Sequence, residues 1–129
     1  MLDRIKERLQ SLGYTVKDSD DIAINFAMQK VENTIKNDCN ISAIPDGLMN
    51  IAIDMVVGEF LMSKKTFAPN DLLSLNLDSA IKQIQEGDTN IAFAVGEGSK
   101  TDEQRLDSFI NYLLTYGRGE FNTYRRFKW

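Results

Sequence analysis

From Leu48 to Leu61 the chain is apolar on more than one helical face, through Leu48, Ile51, Ile53, Met55, Val56, Val57, Phe60 and Leu61. A helix with apolar residues on several sides needs neighbours on several sides, so it lies at the centre of a bundle or in an interface. The stretch is opened by Ile44-Pro45-Asp46-Gly47, and proline fits a first helical turn because its missing N–H would have no intrahelical partner there. Lys64 and Lys65 then suit the negative C-terminal end. At 129 residues the chain has room for one domain around this helix.

The flanking segments read as partners for it. Leu2, Ile5, Leu9 and Leu12 recur at helical spacing, and Gly13 stops that helix. A second helix follows Asp18 and Ser19 as caps, with a stripe of Ile24, Ala27 or Met28, Val31 and Ile35; 37–44 reads as a loop. A shorter helix is expected over 77–85, with Gly87 after it. Thr101 to Gln104 forms a capping-box pattern ahead of Leu106, Phe109, Ile110, Leu113 and Leu114. Between these helices Ile91, Phe93 and Val95 alternate with Ala92 and Ala94, as in a strand. A single strand leaves its backbone groups unpaired. Its partner is either the poor hairpin candidate 85–89 or a neighbouring chain. The expected fold is mainly α: a compact bundle of four to five helices in 1–116, a short β segment near 90–95, and an extended C-terminal interaction tail over 117–129.

Charge divides the chain at the same place. Residues 1–116 carry 11 basic and 18 acidic side chains, whereas 117–129 carries Arg118, Arg125, Arg126 and Lys128 against Glu120 alone. Six of the twelve aromatic residues fall at this end: Tyr112, Tyr116, Phe121, Tyr124, Phe127 and Trp129. An acidic body argues against general nucleic-acid binding. The tail's aromatic and arginine side chains suit stacked bases, a protein interface, or a tail folded back on its own bundle.

No residue set points to chemistry. The chain has no histidine, which removes Ser-His-Asp and Cys-His catalysis and histidine metal sites together. Asp18, Asp20 and Asp21 lack the fifth and sixth positions of a calcium loop, where Ile22 and Ala23 stand, so they read as helix-start acids. Asp54 and Glu59 are five apart and do not share a face well, so a salt bridge or an exposed edge is expected for them rather than an acid–base pair. Gly96-Glu97-Gly98 lacks the rest of a phosphate loop, and Cys39 has no activating neighbour in sequence. A lone cysteine suits a reducing cytosol. The opening Met1-Leu2-Asp3-Arg4 shows no apolar signal core, and no apolar run approaches the roughly 20 residues of a membrane span. The expectation is a protein with no enzymatic activity, cofactor, metal or membrane contact.

Several stretches, in order along most of the chain, resemble the small head–tail connector (adaptor) proteins of long-tailed bacteriophages. They are Ile44-Pro45-Asp46-Gly47-Leu48 with Asp54-Met55-Val56-Val57-Gly58-Glu59-Phe60-Leu61; Ile84-Gln85-Glu86-Gly87-Asp88-Thr89; Ile91-Ala92-Phe93; and Leu113-Leu114-Thr115-Tyr116-Gly117-Arg118-Gly119-Glu120-Phe121 with Tyr124-Arg125-Arg126. None is a catalytic signature, and the specificity comes from their combination. The resemblance implies a helical subunit of a ring, commonly dodecameric, beneath the portal protein in the virion neck. Such a ring extends the DNA channel and docks a stopper or tail-completion protein. In that setting Arg118, Phe121, Tyr124, Arg125, Arg126, Phe127 and Trp129 are expected at the portal, and Ile91, Phe93 and Val95 between subunits. DNA would pass the lumen without specific binding. The alternative is a small DNA-binding or packaging factor that uses the basic aromatic tail.

Overall fold

The computed structural model describes residues 1–72, 75 and 102–124. These residues are mainly helical, and no strand occurs among them. The helices are α1 (Leu2–Ser11), α2 (Asp21–Cys39), α3 (Asp46–Phe67), α4 (Asp102–Thr115) and the single turn α5 (Phe121–Tyr124). Short 3-10 turns cover Asp18–Asp20, Pro69–Leu72 and Arg118–Glu120. The expected helix over 77–85 and the expected β segment near 90–95 lie outside the described residues.

The multi-sided apolarity of α3 places it at the centre. It packs against α1, α2 and α4, the last two being the helices that carry Val31 and Ile110. Leu48, Ala52, Ile53, Met55, Val56, Val57, Phe60 and Leu61 are all buried along it. Each neighbour contributes the single stripe its sequence shows: Ile5 and Leu9 from α1, Ile24, Ala27, Val31 and Ile35 from α2, Phe109, Ile110 and Leu113 from α4. Tyr14 closes one end of this core with an edge-to-face contact on Phe60, ring centroids 5.4 Å apart.

Two boundaries differ from the sequence reading. α2 continues through 37–39, because Cys39 returns to the core stripe fully buried; Asn40, at φ 54°, then ends the helix. Ile41 donates its N–H back to the Lys36 carbonyl at 3.1 Å, a left-handed helix stop in the place glycine usually takes. The second difference concerns 117–124, which is folded onto the bundle instead of extending from it. Residues 117–124 therefore pack with the helices of the region expected to end at 116.

Candidate interface residues

The C-terminal strap is held by two glycines. Gly117 lies against Ile51 of α3, where a Cβ would overlap that side chain. Gly47, in the first turn of α3, lies under the Tyr124 ring, where a Cβ would overlap the phenol oxygen. Both are close approaches that only a residue without Cβ permits. Between them the 3-10 turn carries the chain from the end of α4 back toward α2, and α5 packs on α2. Phe121 is 2% exposed, and its carbonyl accepts the Cys39 thiol at 3.6 Å.

Phe121, expected at a portal interface, is thus packed inside this subunit. Its side chain is a core residue, buried because the strap folds back, and it has no surface to offer a partner. Tyr124 is half-buried on Gly47 and serves the same closure. Arg118 is exposed; its Nε donates to the Leu114 carbonyl at 3.1 Å, satisfying an end group of α4 and leaving its charge toward solvent. Arg125, Arg126, Phe127 and Trp129 lie outside the described residues, as do Ile91, Phe93 and Val95.

At the other end of α3 the sequence hides a charge cluster. Asp20 is 1% exposed. Its Oδ2 accepts the Tyr14 hydroxyl at 2.8 Å and the Lys17 N–H at 3.0 Å, and its Oδ1 stands 2.8 Å from Lys64 Nζ. Lys64 also pairs with Asp71 at 3.1 Å, which pairs in turn with Lys17 at 3.3 Å. Burial pushes the Asp20 carboxyl up, but Lys64, the Lys17 amide and the Tyr14 hydroxyl together hold it below the usual carboxylate range. Lys64 is raised, first by its bond to Asp20 and against its own burial. Tyr14 is raised by burial and by donating to Asp20. The side-chain cap expected from Asp18 and Ser19 is not what opens α2: Asp20 holds the N-cap position without a side-chain cap bond, and its carboxylate instead takes the Lys17 N–H ahead of the 3-10 turn. Its partner Lys64 lies 44 positions away, which is why the sequence offered no sign of it.

Asp54 and Glu59 separate as expected. Asp54 accepts Arg8 Nε at 3.2 Å and the Tyr116 hydroxyl at 2.6 Å, whereas Glu59 pairs with Lys30 at 3.0 Å. Tyr116 stacks on Tyr112 with centroids 4.9 Å apart, and its hydroxyl is raised by burial and by Asp54. Among the described residues no group of three or more Cys, Asp or Glu converges as metal ligands, and no helix is long and apolar enough to cross a membrane.

Sequence reasoning missed one surface. Ile22 is 82% exposed and Phe26 71% exposed, one turn apart on the outer face of α2. The signal was present, because both fall off the stripe Ile24–Ala27–Val31–Ile35. Phe67, at the end of α3, is exposed as well. Compared with known proteins, the chain matches no family model, no curated protein and no solved structure.

Proposed function

We propose that this chain is a structural subunit of a head–tail connector ring in a tailed phage or prophage, seated beneath the portal and docking a stopper or tail-completion protein. One observation carries the reading. Two stretches that resemble the connector proteins, Ile44–Leu48 and Leu113–Phe121 with Tyr124, are far apart in sequence, yet they meet at one end of the bundle through Gly47 and Tyr124, beside the approach of Gly117 to Ile51 on the same helix. Spacing that serves one mutual contact gives the combination a physical reason to occur together. The acidic body supports the same reading, since copies of it around a channel would repel DNA and let it slide. The basic residues of 117–129 remain the groups proposed to meet partners within the neck assembly, and the resemblance suggests the portal for exposed Arg118.

Cosedimentation decides between this and the DNA-binding alternative. The full-length chain should pellet with purified portal-bearing heads and should leave duplex DNA unshifted at physiological salt. Strong, steeply salt-dependent duplex binding without attachment to heads would replace the ring reading by the DNA-binding one.

A further inference from the structure

The exposed pair Ile22 and Phe26 has no partner in the described part of the fold, and its occupant can be argued from reach and charge. Adjacent aromatic and aliphatic side chains one helical turn apart form a docking stripe, since residues four apart share a face. Asn25 and Gln29, also exposed, flank it without charge. The ion pairs around it balance: Lys6 with Asp21, Lys30 with Glu59, Lys64 with Asp20. Exposed Asp18, one turn before Ile22, then gives the stripe a negative end. A complementary ligand is therefore an aromatic segment with positive charge. In this chain that composition occurs at Arg125-Arg126-Phe127-Lys128-Trp129.

Within one subunit the segment would have to run almost straight along the bundle to approach that face. Tyr124 is pinned on Gly47, while the level of Phe26 on α3 lies beyond Glu59, the partner of Lys30. Gly47 to Glu59 spans about 18 Å of helix, and Phe26 is a further turn of about 5 Å along α2. Fully extended chain from Tyr124 covers only about 10 Å to Phe127 and about 17 Å to Trp129. A second copy has no such restriction.

We infer that the aromatic, basic segment 125–129 of one copy docks on the Ile22–Phe26 face of the next. This contact is heterologous: each copy gives a segment and receives one. Repetition of such a contact closes a ring when the rotation permits. The inference rests on the ring reading and deepens it, because it gives the aromatic end of the segment to the adjacent subunit, leaving exposed Arg118 and the rest of the surface for the portal.

The test uses two variants that each lose one half of the contact. Phe26→Asp keeps the segment and spoils the face; a chain ending at Tyr124 keeps the face and lacks the segment. Phe26 is exposed and Tyr124 is retained, so both should melt like the parent chain. In sedimentation velocity, each variant alone should self-associate at least about tenfold more weakly than the parent, the loss expected of one central aromatic anchor. Mixed together, they should form a one-to-one pair that grows no further, because the only intact half-sites are then on different chains. Parent-like self-association by either variant overturns the inference, and so does a mixture that stays monomeric. Rings formed by both variants on portal-bearing heads would overturn it while leaving the ring reading intact. A parent chain that never assembles on heads would instead remove the ring reading itself.

Discussion

The two ends of α3 are closed by different physics. Gly47 and Lys64 are 17 positions apart, about 25 Å along the helix. At the Gly47 end the closure is shape: two missing side chains admit Tyr124 and Ile51, and Phe121 fills the space beside Cys39. At the Lys64 end it is charge: a buried carboxylate is held by an ammonium, a phenol and a backbone amide. A shape-closed contact is penalised by each added atom, and its fit does not itself depend on a protonation state. A charge-closed end tolerates modest changes of shape but requires its protonation states.

The first way to test that contrast is to break what the ends share. Val56 is fully buried near the middle of α3, so Val56→Asp places an unpaired charge between them and should cost several kcal/mol, enough to unfold the domain. An unchanged melting temperature would remove α3 from the centre. Next, Lys64→Met strips Asp20 of its ammonium and should destabilise by about 3 kcal/mol in urea unfolding, with a larger loss at neutral pH than at acid pH, where the carboxyl is protonated. Gly117→Val should cost about 1–3 kcal/mol by overpacking against Ile51, equally at both pH values. The double variant Lys64→Met, Gly117→Val should be additive, because the sites share no neighbour. A coupling above about 1 kcal/mol would show that the ends communicate.

The pH profile sharpens the comparison with a smaller effect. Asp20 is depressed in the folded state, so its contribution is present above the unfolded carboxylate value of about 3.9 and is lost as pH falls through the folded value. Lys64 is raised, so its contribution is present below about pH 10.4 and is lost as pH rises through the folded value. The Tyr14 phenol, held neutral by the fold, adds to the alkaline loss above about pH 10. Melting temperature should therefore fall below about pH 4 and above about pH 10. Asp20→Asn should flatten the acid limb, and Gly117→Val should lower the whole curve without changing its shape.

The same contrast explains what could be read in the sequence. α3 was legible because its signal is local: apolar residues on several faces within 14 positions. The stripes of α1, α2 and α4 were legible for the same reason. Neither closure was. Phe121 looks like an interface aromatic until Cys39, 82 positions earlier, is brought beside it. Gly117 and Gly119 look like helix stops and a flexible exit; Gly117 is instead a contact surface for Ile51. Asp20 sits in an acidic run that resembles an ordinary helix start, and Lys64 looks like an ordinary helix end. Each local reading was sound, but the pairing across 44 positions turned two surface charges into a buried cluster. Among the proposed interface residues, composition separated the basic end from the acidic body, yet it did not separate Phe121 and Tyr124, which close the fold, from Arg118, which faces solvent.

Electron cryomicroscopy of portal-bearing heads incubated with the full-length chain tests the central claim most directly. The account predicts a closed ring of copies coaxial with the portal, each with residues 117–124 folded on its own α3 and the Ile22–Phe26 face turned to the adjacent copy. Heads that remain bare beneath the portal, with the chain found instead along DNA or free in solution, would contradict it.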